Sequence, residues 1–231
     1  MNRTTLSLPL VRLLQLVSPA LPVGAYTYSQ GLEWAVESGR IRDEVTAGAW
    51  IGDLMRHGIG RFEAPLVARM MPHWNEANLD EIARLNADFL ASRESAELRA
   101  ETVQMGFSLN RLLGDLRDPA LEPLRAALVH WPETAFPTVW SGLAAAWEIM
   151  PLDAVAGYLW AWAENQVMAA LKAVPLGQAA GQRLLAELGM AVPPIAETAL
   201  TLPESEWSNL APAFALCCAR HETQYSRLFR S

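Results

Sequence analysis

The residues that could carry chemistry are few: four histidines, two adjacent cysteines, a glycine–glutamine run and an arginine-rich end. His57, His73, His130 and His221 are too scattered for an all-histidine metal site. His221-Glu222-Thr223-Gln224-Tyr225 opens like the H-E-x-x-H of zinc proteases, but Tyr225 stands where the second ligand belongs, so the motif fails. Cys217 and Cys218 precede His221 by four and three residues, a helical spacing that brings thiol and imidazole together. Such a trio could hold a soft or borderline divalent ion. The plainer reading is two small buried hydrophobes beside a surface histidine. No firm metal site is expected, and Cys217, Cys218 and His221 are weak candidates only.

Other chemistry is excluded by what the chain lacks. Its one lysine, Lys172, sits in Leu-Lys-Ala, so there is no Walker phosphate loop and no nucleotide bound that way. Nucleophile elbows, Cys-x-x-Cys pairs and Gly-x-Gly-x-x-Gly runs are also missing. An enzyme reading would need an unrecognised acid–base pair drawn from Glu33, Glu37 or His221. In the run PLGQAAGQ (residues 175–182), Gly177 and Gly181 share a helical face, as do Gln178 and Gln182. The glycines suit a close helix–helix approach, while adjacent amides could line a hydrated passage or bond a partner. The last twelve residues, RHETQYSRLFRS, set three arginines and one glutamate among Tyr225, Leu228 and Phe229. Those residue types dominate interface hot spots. Residues 220–231 therefore read as a partner-binding tail, expected to be mobile in the free chain. On a helix Tyr225 and Phe229 would enter one groove while Arg227 and Arg230 reach partner acceptors.

The elements that must position these residues are helical. Alanine and leucine far outnumber the β-branched residues, which points to an all-α protein. Its 231 residues suffice for one compact multi-helix domain, without disulfides or a structural metal. The expected helices, joined by short Pro/Gly-punctuated loops, cover residues 10–17, 43–58, 79–91, 93–116, 138–150, 153–174 and 178–188, with a last one from about 209 into the tail. Arg93 with Glu97 and Arg111 with Asp115 are expected as ion pairs four residues apart. The loop at residues 18–28 carries Leu21, Val23, Tyr26 and Tyr28 and should be packed down. Residues 134–181 hold only four charges, which marks a central or interface-buried helix pair and makes a homodimer the expectation. A net charge of −7 with no basic block argues against nucleic acid. The uncharged run at residues 13–32 is broken by Pro19, Pro22 and Gly24, so no membrane span is expected and a cytoplasmic protein is.

Three blocks together resemble the urease accessory protein UreF family: SPALPVGAYTYSQGLE (residues 18–33), PLGQAAGQ (175–182) and RHETQYSRLFRS (220–231), with RESAELR (93–99) a weaker fourth. The family often has Phe-Ser where this chain has Tyr26-Thr27, and the cysteine pair is not part of its pattern. The resemblance implies a non-enzymatic, all-helical, dimeric chaperone for nickel insertion into urease apoprotein. It implies binding to UreD (UreH in some organisms) and recruitment and regulation of the GTPase UreG, which binds the GTP. Nickel, supplied by the carrier UreE, would be handled in transit rather than held as a cofactor. Carried over residue by residue, the N-terminal motif falls on Pro22, Gly24, Tyr28, Ser29, Gly31 and Glu33. The possible passage lining falls on Pro175, Gly177, Gln178, Gly181 and Gln182. The tail falls on Arg220, His221, Glu222, Gln224, Tyr225, Arg227, Leu228, Phe229 and Arg230.

Overall fold

A computed structural model describes residues 7–231; residues 1–6 of the expected domain lie outside the described residues. In chain order the α-helices are α1 (Leu8–Leu16), α2 (Leu32–Glu37), α3 (Glu44–His57), α4 (Glu63–Asn75), α5 (Leu79–Ala91), α6 (Ala96–Asp115), α7 (Glu122–Leu128), α8 (Phe136–Ala146), α9 (Pro151–Ala173), α10 (Gln178–Thr201) and α11 (Pro212–His221). No strand occurs among the described residues, so the protein is all-α.

The helix starts follow local chemistry. Asp43 and Thr46 form a reciprocal capping box at α3, Asn78 caps α5, and Ser95 caps α6 through the Leu98 amide. Prolines stand in the first turns of α8, α9 and α11, where a missing N–H costs nothing. The low-charge stretch forms the centre. Helix α8 is buried from Pro137 to Ala145, enclosed by α4, α6, α7 and α9. Its apolar surface is therefore consumed within the chain and does not itself require a dimer interface. Helices α9 and α10 pack along each other, and Gly181 leaves room for this: a Cβ there would lie 2.7 Å from Leu171 Cδ1.

Three readings need correction. Pro193 and Pro194 do not end a helix; α10 runs through them to Thr201. Both prolines lie on the exposed face, and of the residues one turn back whose carbonyls they leave without a donor Met190 is exposed and Gly189 half-buried, while Leu184, Leu188, Val192, Ala196 and Ala199 continue the buried stripe. Arg93 lies in the turn before α6, not on a helix, and pairs with Glu63 across the core rather than with Glu97. In the 18–28 loop Val23 and Tyr28 are buried as expected, but Tyr26 is exposed.

Candidate functional site

Residues 24–33 form the floor on which the C-terminal segment lies. Gly24 and Gly31 adopt φ of +76° and +73°, the left-handed conformation that side chains disfavour. At Gly31 a Cβ would also meet the Cys218 amide nitrogen at 2.8 Å, so only glycine lets α2 and α11 approach this closely. Glu33 follows in the first turn of α2, where unpaired N–H groups favour a carboxylate.

A buried carboxylate needs partners. Glu33, 6% exposed, accepts hydrogen bonds from the Leu228 amide at 2.7 Å and the Phe229 amide at 3.1 Å, and faces His221 Nε2 at 3.2 Å. Glu97 of α6 faces the other imidazole nitrogen, Nδ1, at 2.7 Å and accepts from Arg227 at 2.6 Å. Two carboxylates thus clamp a fully buried imidazole and the backbone beyond it. Glu222 reaches the other way and accepts from the Ala96 and Glu97 amides at the start of α6. The far end is fixed by the Ser29 amide donating to the Ser231 carbonyl at 2.7 Å and the Arg230 amide donating to the Thr27 carbonyl at 2.8 Å. Phe229 is buried, with the Lys172 ammonium 5.4 Å from its ring centre.

The tail thus lies packed against the chain, anchored at both ends. Glu33 and Glu97 supply the tail with acceptors, and Ser29 supplies it with donors. The segment is not helical: α11 ends at His221. Phe229 points in while Tyr225 is wholly exposed and Leu228 71% exposed, so the two rings do not share a face. Arg220, Glu222, Arg227 and Arg230 are also exposed, and Gln224 is half-buried.

The N-terminal motif and the tail come together, but the remaining candidates do not join them. Tyr28, Ser29, Gly31 and Glu33 are buried beneath or beside the tail; Pro22 is exposed. Of the 175–182 candidates, Pro175, Gly177, Gln178 and Gln182 are exposed, so the two glutamines line no passage inside this chain, and Gly181 is buried. His221 is buried, not on the surface, and both its nitrogens are committed to carboxylates. Burial raises the thiol pKa of Cys217 and of Cys218. The cysteines and His221 thus form no ligand set, and among the described residues no group of three His, Cys, Asp or Glu side chains could hold a metal ion.

Sequence reasoning missed a second polar cluster, behind the tail. Glu63 of α4 accepts from Arg93 at 2.8 Å and from the Tyr158 hydroxyl at 2.6 Å, and Arg93 lies over the Phe89 ring at 4.2 Å. Glu101 accepts from Gln30 Nε2 and Ser231 Oγ, each at 2.7 Å, while Gln30 accepts from the Trp162 indole at 2.7 Å. Burial pushes the Glu101 carboxyl up to about 7, against the lowering effect of its two hydrogen bonds. Both glutamates line a cavity of about 350 Å³ between the 18–28 loop, α6 and α9. The buried amide of Gln166 has no partner for either polar atom. Gln30, Arg93 and Ser231 fall in the blocks above, but Glu63, Glu101 and Tyr158 do not; a glutamate in an otherwise apolar run, as at Glu63, is the only signal for these.

Fold and site together define an all-α protein organised around a C-terminal segment anchored on buried carboxylates. The UreF family profile matches residues 41–189. The urease accessory protein UreF of Dechloromonas aromatica is 71% identical over 224 residues, covering 97% of this chain and 98% of the relative. Those of Azoarcus sp. and Methylobacillus flagellatus are 64% and 48% identical over 225 and 223 residues, covering 97% and 96% of this chain and 96% and 97% of the relatives. The chain belongs to the UreF family. No helix among the described residues is long and apolar enough to cross a membrane.

Proposed function

We propose that this chain is a non-enzymatic accessory protein that scaffolds nickel insertion into urease apoprotein. It binds UreD (or UreH), recruits UreG and regulates the GTP hydrolysis that UreG performs, and it does this as a cytoplasmic homodimer. Nickel passes in transit and GTP stays on the partner. The family membership carries this reading, at 71% identity to a protein named urease accessory protein UreF. The tail supports the partner-binding part: its inner half is anchored while Tyr225 and Leu228 stand free on the outside. An aromatic and an aliphatic residue held outward on a fixed backbone need little further ordering to dock, which favours affinity.

Reconstitution tests the reading. Urease apoprotein, UreD, UreG, GTP and nickel should yield active urease only when this chain is added. Unchanged activation without it would refute the scaffold role. Turnover of a substrate by the purified chain alone would favour an enzyme instead.

A further inference from the structure

The cavity beneath the 18–28 loop has a composition that structural packing alone does not call for. Phe136, Trp140, Tyr158 and Trp162 supply aromatic wall, with Phe136, Trp140 and Tyr158 mutually 5.4–5.9 Å apart between ring centres. Its volume of about 350 Å³ is enough for a small ligand. Two buried carboxylates line it and are treated differently. Glu63 has its counter-charge built in, from Arg93 at 2.8 Å. Glu101, 4% exposed, has only neutral donors, the Gln30 amide and the Ser231 hydroxyl, and no cation within ion-pair distance among the described residues. A carboxylate beside aromatic faces, lacking a cation of its own, is the combination that recognises an organic cation.

We propose that this cavity binds a small organic cation, a primary ammonium on a flat apolar body, with the ammonium paired to Glu101 and the body against Trp162 and its aromatic neighbours. The proposal does not depend on any role in urease maturation. Other charged groups near Glu101 are Glu63, which raises its pKa, and Arg93, which lowers it; Lys172 and Glu164 also line the cavity, and Tyr158 and Cys218 face Glu101 as neutral groups. With its carboxyl titrating near 7, an incoming ammonium ionises Glu101 and sends one proton to solvent. The amine itself stays protonated throughout this range. Affinity therefore rises with pH between 6 and 8.

Titration of the full chain with 2-phenylethylamine and with its neutral counterpart 2-phenylethanol, followed by tryptophan fluorescence and calorimetry, tests this directly. The amine should bind about tenfold more tightly at pH 8 than at pH 6, the ratio set by ionising a group of pKa near 7. The alcohol should bind at least about tenfold more weakly than the amine at pH 8 and should ignore pH. Glu101→Gln should erase both the amine's advantage and its pH dependence. Equal binding of amine and alcohol by the unaltered protein at pH 8, or binding of neither, would overturn the proposal without recourse to any variant. So would a pH dependence that survives Glu101→Gln.

Discussion

At Glu33 one carboxylate accepts from two backbone amides of the tail and faces the ring of His221. Glu33→Ala would leave those groups buried without an acceptor, each costing about 1–3 kcal/mol. A loss of stability of at least ~3 kcal/mol is expected, seen as a lower urea midpoint, with faster hydrogen exchange at Leu228 and Phe229. Unchanged exchange at those amides would argue that Glu33 does not hold the tail. Glu101 gives a prediction of a different sign. Its folded pKa of about 7 stands above the ordinary 4.5, so the folded state prefers the protonated acid. That contribution is complete below pH 4.5 and is lost as pH climbs through 7. Over this window Glu101 should cost on the order of 3 kcal/mol of stability. Glu101→Gln should flatten that part of the stability–pH curve, and an identical slope in the variant would contradict the assignment.

At the scale of the element, the contact between α2 and α11 rests on Gly31. Gly31→Ala would place a methyl against the Cys218 backbone at a positive φ, where neither side can yield cheaply. It should destabilise the protein by roughly 2–4 kcal/mol and loosen α11, measured by thermal melting and proteolysis near residues 212–231. Wild-type behaviour would show that the two helices can separate at no cost. Much of this level was legible in the sequence. The steps of three and four in α5 and α6 and the acid-led start of α3 were plain, because local periodicity and capping determine them. Helix α10 was not, since proline's effect depends on whether the carbonyls it frees face water, and Pro193 and Pro194 lie on the exposed face. Arg93 was misassigned because a partner four residues away is visible in sequence, whereas Glu63, thirty residues away, is not. The same blindness to long-range acceptors explains the tail: its residue types were readable, its anchors on Glu33 and Glu97 were not.

Across the whole molecule, the first and last family blocks, at opposite ends of the chain, meet as floor and cover of one site. The third, at residues 175–182, stays largely on the surface, with only Ala180 and Gly181 buried. The sequence motifs thus mark the two sides of the tail's seat, but of the buried Glu63–Arg93–Tyr158 cluster between them only Arg93 falls in a block, the weaker RESAELR. Anchoring changes what removing the tail should do. Deleting residues 222–231 strips Glu33 of two backbone donors and should lower the melting temperature as well as partner binding, so it cannot separate the two roles. Substitutions confined to the outer surface can. Tyr225 and Leu228 are exposed and hold nothing in place through their side chains. The most direct measurement is capture of UreD and UreG by Tyr225→Ala/Leu228→Ala, with circular dichroism on the same samples. Helicity and melting temperature should match the unaltered chain, within about 0.5 kcal/mol. Capture should weaken by at least ~2 kcal/mol, roughly thirtyfold. A folded double variant that retains both partners at full strength would contradict the tail as the docking surface.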